Sequence, residues 1–281
     1  MKLVSNRKYG EAFSQLRDGL ANWGVPPEFT NEILERNMAA IFEKGALVLC
    51  EGAVDDLFGC VLSGFVKVYC AVGDGSRTLM RLAGPGEIIG YADYLDDKGR
   101  HARLFEAQCA SRCAVALINR DYVARMLRRL EPDTLVEILL AVNTFWSQNV
   151  RWFATMLNLR LSQRLELVLS DLALRFGVED ARGTLLIPDL GHVDLAEMIG
   201  CSRPLISRLL AEMADGELLS RRAKQYLLHS KWSFESALQY HRVSERSKVA
   251  NIKDTQPRHQ PGIDLTRLVA LERPSGAFAG H

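Results

Sequence analysis

The segment Gly191-His192-Val193-Asp194-Leu195-Ala196-Glu197-Met198-Ile199-Gly200-Cys201-Ser202-Arg203-Pro204-Leu205-Ile206-Ser207-Arg208-Leu209-Leu210 constrains the fold more than any other stretch of the chain. A first short helix is predicted from about His192 to Ile199, and Gly200 supplies the left-handed residue that ends it. Ser202 suits the N-cap of a second helix, whose first turn tolerates Pro204. Ala196 is small where the second helix has to cross, and Ile206, Leu209, Leu210 and Met213 form the face turned to the core. The pattern predicts a helix-turn-helix. Ser202, Arg203, Ser207 and Arg208 are left outside, near the start of the second helix. An arginine there can make two hydrogen bonds to a guanine edge, and a serine hydroxyl or backbone N–H can hold phosphate.

After Asp215-Gly216 the sequence predicts two short strands, Leu218–Arg221 and Tyr226–Leu228, joined through Arg222-Ala223-Lys224-Gln225. This is a wing, and its Arg221, Arg222 and Lys224 suit phosphate contact. From Arg160 to Lys231 there are 10 Lys/Arg and 10 Asp/Glu, yet five of the bases fall on the recognition helix and wing. The alternative is a helical protein-interaction module with solvated arginines.

The net charge of the 281 residues is only +1, so evidence for a nucleic-acid partner has to come from this local clustering. A hydrophobic content of 48% excludes a wholly disordered chain. The longest strongly apolar run, Leu135 to Val142, contains Glu137, and nothing approaches the ~20 apolar residues of a membrane helix. The first residues lack an apolar core of signal-peptide length, which predicts a cytoplasmic protein. The six cysteines, at 50, 60, 70, 109, 113 and 201, include no Cys-x-x-Cys pair and no zinc spacing; they read as small buried hydrophobes.

Residues 11 to 38 read as helical, with a break at Pro26-Pro27. From Phe42 to about Ile118 glycines fall at 52, 64, 75, 86 and 90, with short strand-like runs between them, such as Cys60–Leu62, Phe65–Tyr69 and Thr78–Leu82. Asp74-Gly75 and Gly84-Pro85-Gly86 are tight-turn signals, and a further strand pair is expected at Leu104–Ala107 and Cys113–Ile118. Regular strand–turn spacing predicts an antiparallel barrel or sandwich.

From Asp133 to about Leu157 the period becomes helical. Leu135, Ile138, Val142, Phe145, Asn149, Trp152 and Met156 follow alternating steps of 3 and 4, a heptad seam with one polar member. Such a seam predicts a parallel helix pair between two copies of the chain, with Asn149 setting register. The alternative is a helix docked on its own domain. Leu161 to Phe176 reads as another amphipathic helix stopped by Gly177, followed by loop residues to Asp189.

The combination resembles the Crp/Fnr superfamily of bacterial transcription regulators over about Phe42 to Leu228. The glycine spacing is similar to that family's β-roll, and Gly200-Cys201-Ser202-Arg203-x-x-Ile206-Ser207-Arg208 to its recognition helix. The resemblance implies an α+β chain: a cyclic-nucleotide-binding-like antiparallel β-roll (residues 1–132), a long dimerisation helix (133–158) and a winged helix-turn-helix (159–231). Residues 232–281 have no match in the family pattern, and Pro257, Pro261 and Pro274 with glycines and serines near the end predict a mobile extension. The resemblance also implies a homodimer that binds a roughly palindromic DNA operator, regulates transcription without catalysis or a required cofactor, and has RNA polymerase as a further partner. An effector-independent regulator, and a β-roll ligand-binding protein that does not bind DNA, are the alternatives.

The departures from the family pattern bear on the effector. Tyr91 follows Gly90 where nucleotide-binding members have a glutamate, and His101-Ala102 stands in place of their Arg-Ser. Losing that pair removes the main charge complement of a cyclic phosphate, which argues against a cyclic nucleotide unless Arg100 or Arg103 substitutes. Tyr91, Tyr94, Trp146 and Ser147 suit a small, mostly apolar effector instead. Pro204 stands where many members have a glutamate that reads cytosine, so the family's usual operator does not carry over. Asp93, Asp96 and Asp97 lack the turn glycine and distal glutamate of a calcium loop, so no metal is expected. Within the extension, Leu265, Leu268, Val269 and Leu271 fit one short docking helix.

Overall fold

The computed structural model describes residues 2–4, 14, 17, 25–36, 39–53, 57–71, 77–90, 93–95 and 101–238. Most of the helix expected before Pro26, the Asp74-Gly75 turn, Asp96, Asp97 and the Leu265–Leu271 helix lie outside them.

The amino-terminal part is a roll of two antiparallel sheets. One has the order β1 (Lys2–Val4), β2 (Ala39–Phe42), β11 (Cys113–Asn119), β4 (Leu57–Ser63), β7 (Ile88–Ile89). The other runs β3 (Leu47–Leu49), β10 (Phe105–Cys109), β5 (Val66–Ala71), β6 (Arg77–Ala83), and β8 (Asp93–Leu95) pairs with β9 (His101–Arg103). Alternation along β11 shows why two layers form. Cys113 and Val115 turn into the space between the sheets with Leu49, Val61, Val66 and Ala107. Ala114, Ala116 and Ile118 turn outward, where α1 (Pro27–Arg36) and α2 (Arg120–Leu127) cover them through Phe29, Tyr122 and Met126.

The strands expected at Leu104–Ala107 and Cys113–Ile118 are present, but they do not pair with each other. β10 lies between β3 and β5, β11 between β2 and β4. The short connector Ala110-Ser111-Arg112 crosses from one sheet to the other instead of closing a hairpin. Gly64, which joins β4 to β5 beside it, needs its φ of +78°, and a Cβ there would lie 2.4 Å from the Arg112 carbonyl oxygen.

The long helix α3 spans Pro132–Asn158, and α4 spans Leu161–Phe176. The loop expected after Gly177 is a hairpin, β12 (Gly177–Asp180) and β13 (Gly183–Leu186). It joins β15 (Gln225–His229) and β14 (Leu219–Arg222) in a four-stranded sheet. Two helices, α5 (His192–Ile199) and α6 (Arg203–Asp215), complete the domain. Its boundary falls later than expected. Trp232 and Ala237 are buried in the same core, and Trp232 Nε1 donates to Ser170 Oγ of α4 at 2.8 Å. The start of the proposed extension is therefore part of the domain.

Candidate nucleic-acid interface and effector region

Gly200 has the left-handed φ of +72° that turns α5 into α6, and the four residues assigned to the inward face of α6 are all buried. Ser202 is the N-cap residue through its carbonyl, which accepts from the N–H groups of Leu205 and Ile206; its side chain makes no capping bond. That hydroxyl remains exposed together with Arg203 and Arg208. Ser207 is half-buried. Its Oγ donates to the Arg203 carbonyl at 3.2 Å and lies 2.8 Å from Nδ1 of His192, the first residue of α5. Burial, then Arg221 and Arg203, hold the His192 imidazolium below its ordinary pKa of 6.5. Both cations act on one ring, so the wing and the start of the recognition helix face the same place.

In the wing, Arg222 pairs with Asp180 at 3.0 Å and Lys224 with Asp189 at 4.0 Å, and on α6 Arg208 reaches Glu212 at 3.8 Å. These cations are all exposed, so the pairs contribute little and can exchange for phosphate. His192 escaped the sequence reading. Its one signal was its place at the start of a helix that the recognition helix crosses.

The winged helix-turn-helix domain is docked on the roll. Arg175 of α4 donates from Nη2 to both carboxylate oxygens of Glu87 at 2.7 Å and to the Leu82 carbonyl at 2.7 Å, while Nη1 donates to Asp171 at 3.0 Å. Burial opposes the charge of Arg175, but Glu87 and Asp171 prevail and push its pKa upward. Lys67 of β5 pairs with Asp194 of α5. The Tyr69 phenol beside it is pushed up by burial and by its hydrogen bond to and charge of Glu197, among other neighbours. Phe65 meets Phe176 edge-on with ring centroids 5.2 Å apart.

The long helix presents two stripes. Of the residues read as a dimer seam, Met156 is only 8% exposed and packs in the core of its own chain, with Trp152 against it. Leu135, Ile138, Val142, Phe145 and Asn149 are half-buried. Asn149 Nδ2 donates to the Phe145 carbonyl of the same helix at 2.8 Å. The stripe turned to solvent is shifted by one position: Val136, Leu139, Asn143, Trp146, Val150, Phe153 and Leu157, with Leu139 66%, Val150 65% and Leu157 77% exposed. Both stripes share the 3,4 spacing. Met156 and Trp152 of the expected seam thus pack on the protein's own body, and the neighbouring stripe is the more exposed of the two.

Around the expected effector site, Tyr91, Arg100 and the side chains of Tyr94 and His101 lie outside the described residues. Gly90 is buried with φ +76°. Its carbonyl accepts from Arg103 Nη1 at 3.2 Å and from Arg120 Nη2 at 2.5 Å. Arg103 is 1% exposed, and its Nη2 donates to the Leu57 carbonyl at 2.6 Å. It therefore braces backbone. Trp146, Phe153 and Asn149 of α3 close a cavity of about 50 Å³ over Val68, Met80, Arg81 and Gly90. Ser147 is exposed and does not line it. A larger cavity, about 530 Å³, lies beyond, between β6, α3, α4 and the Met198–Gly200 turn.

A β-roll joined through a long helix to a winged helix-turn-helix defines the two-domain architecture of the chain. Residues 40–130 match the cyclic nucleotide-binding domain family. The chain is 29% identical over 200 residues to the cyclic AMP receptor protein of Thermus thermophilus, covering 68% of this chain and 84% of that one. It is 23% identical over 216 residues to a CRP-like cAMP-activated global transcriptional regulator of Mycobacterium tuberculosis, covering 72% and 95%. Among solved structures, the fold is similar to a c-di-GMP responsive global regulator of Xanthomonas campestris (TM-score 0.59, 20% identity, covering 73% and 100%). It is also similar to FixK2 of Bradyrhizobium japonicum (TM-score 0.57, 16% identity, covering 73% and 96%). The chain thus carries a match to the cyclic nucleotide-binding domain family over residues 40–130 and is similar along most of its length to CRP-like transcription regulators. Among the described residues no helix is long and apolar enough to cross a membrane.

Proposed function

We propose that the protein is a homodimeric, sequence-specific DNA-binding transcription regulator. The observation that carries this reading is the set of exposed cations on α6 and the wing, Arg203, Arg208, Arg221, Arg222 and Lys224, two of which act on the single ring of His192. Exposed cations beside a helix N-terminus match what a major groove and its flanking phosphates require. The outward stripe of α3 supports the dimer, since a 27-residue helix about 40 Å long offers an apolar face to a second copy. RNA polymerase enters as a partner on the resemblance alone. The test is a gel shift on genomic fragments with wild-type protein and an Arg203→Ala/Arg208→Ala double variant. Specific retardation lost in the variant is expected; absence of any specific complex overturns the reading.

The effector is proposed to be a small molecule of the region beside α3, and not a cyclic nucleotide. His101-Ala102 stands where the family has Arg-Ser, and Arg103 braces backbone carbonyls. Calorimetry with cyclic AMP and with c-di-GMP tests this. Binding tighter than about 10 μM, near −7 kcal/mol, overturns it.

A further inference from the structure

The cavity of about 530 Å³ between β6, α3, α4 and the Met198–Gly200 turn holds none of the cations assigned to DNA, and its volume falls within the ~300–1,000 Å³ of ordinary ligand sites. It is open to solvent, with Leu157, 77% exposed, and the exposed Gly200 among its lining residues. The lining runs along α3 from Phe145 to Leu157, about 18 Å of helix axis, so the space is elongated. Its wall is mostly apolar, with Leu79, Trp152, Met156, Val168 and Met198. Met156 and Met198 stand at the end near the turn, and their flexible chains adapt to an unbranched guest.

Five charged side chains interrupt this wall. Arg175 is occupied by Glu87 and Asp171, at 2.7 and 3.0 Å, and Glu87 Oε2 also accepts from the Gly84 N–H at 3.1 Å. Arg164 donates to three carbonyls at the negative ends of α3 and α5: Leu159 at 3.0 Å, Ile199 at 3.3 Å and Leu157 at 3.4 Å. Arg81 differs from both. Its Nη2 donates to the Ile88 carbonyl at 2.5 Å, and among the described residues it has no ion-pair partner. A guanidinium has five N–H donors, so a charge and several donors stand half-buried at the roll end of the cavity. Asn149 is beside it, since Arg81, Asn149, Met80 and Phe153 also line the small cavity under Trp146.

We propose that this cavity binds a fatty-acid carboxylate of medium chain length, with its head on Arg81 beside Asn149 and its alkyl chain along α3 toward Met156 and Met198. From Asn149 to Met156 the helix axis advances about 10 Å, the length of such a chain. The charge of the wall selects the head group. Three arginines face two carboxylates, and one further carboxylate balances the excess. A phosphate dianion finds no second counter-ion, and an amine is repelled by the unpaired cation. The head sits on β6 of the roll, and the tail ends at the turn that leads into α6, where Arg164 holds the Ile199 carbonyl. The molecule is then the small effector proposed beside α3, and its role as effector rests on that reading.

Calorimetry on the full chain with octanoate, octanol and octylamine, each below its micelle-forming concentration, tests the site. The expected result is one octanoate per chain, bound at least tenfold tighter than octanol, with octylamine no tighter than octanol. Arg81→Met should weaken octanoate at least tenfold and leave octanol unchanged, and the retained octanol binding reports that the variant is folded. Met198→Trp fills the far end and should weaken octanoate and octanol alike. Equal binding of the three probes, several equivalents per chain, an undiminished octanoate affinity in Arg81→Met, or no binding at all overturns the proposal. Fluorescence anisotropy on a bound DNA fragment reads the effector role. Octanoate should change the affinity at least threefold in the wild type and leave it unchanged in Arg81→Met. An unchanged affinity in the wild type sinks the effector role. A protein that binds no fragment with or without octanoate fails the DNA-binding reading, and the calorimetry still decides the site.

Discussion

His192 joins two structures that the sequence keeps fifteen positions apart, through its 2.8 Å contact with Ser207. Its pKa in the folded protein lies below the ordinary 6.5, so as pH falls the unfolded chain takes the proton first. Stability contributed at this position is present above pH 6.5 and lost below it. His192→Gln should therefore narrow the gap in Tm between pH 7.5 and pH 5.5, measured by thermal unfolding; an unchanged gap would refute the assignment. At the reading face, Arg203→Ala or Arg208→Ala should cost about 1–3 kcal/mol and relax preference at one base pair. Lys224→Ala should weaken all sequences alike and lower the salt slope by about one. Competition binding over a set of point-substituted sites, repeated across salt concentrations, separates the two behaviours. The outward placement of Arg203 and Arg208 was legible because Gly200, Ala196 and the apolar spacing of α6 fix which side faces out. The contact of His192 was not, because it depends on how two helices cross. Nor was Arg103, whose burial against Gly90 depends on a strand pairing distant in sequence.

Among the elements, α3 shows the limit of a heptad reading. Two stripes of equal spacing run along it, and periodicity cannot say which one the protein's own core claims. The core took the stripe holding Trp152 and Met156, where α4 and the roll supply partners. A glutamate at Val150 or Leu157 should raise the dimer dissociation constant at least tenfold by sedimentation, through burial of an unpaired charge. Asn149→Val should leave association unchanged, since its amide is bonded within its own helix. If Asn149→Val dissociates the dimer and Val150→Glu does not, the stripes have been assigned in the wrong order. The docked domain depends on Arg175, whose side chain is 20% exposed. Glu87→Gln removes one of its two carboxylates and should destabilise the docked state by about 2 kcal/mol, less than the ~3–5 expected for a fully broken buried pair because Asp171 remains. Denaturant unfolding gives the energy, and small-angle scattering reports whether the two parts separate.

At the scale of the molecule, the carboxy-terminal boundary matters for any truncation. A chain ending at Lys231 loses the Trp232 side chain from the core of the reader domain and should be less stable by about 3 kcal/mol. The roll, long helix and winged domain were legible because turn glycines, a change of period and a left-handed glycine are local signals. The docking of roll on reader was not, because Lys67–Asp194 and Arg175–Glu87 join residues about 90 to 130 apart with no pattern along the chain. The two stripes of α3 have a mechanical consequence. They are offset by one residue, a turn of about 100° about the axis, and Phe153 and Trp146 of the open stripe also line the cavity over the roll. A side chain stands about 5 Å from the helix axis, so pushing Phe153 by 1 Å applies a torque that turns the helix by about 11°. At the end of a lever of about 20 Å, the same angle sweeps nearly 4 Å, more than half the width of a DNA minor groove. In the proposed dimer, a molecule seated against Phe153 would thereby set the angle at which two winged domains meet the double helix.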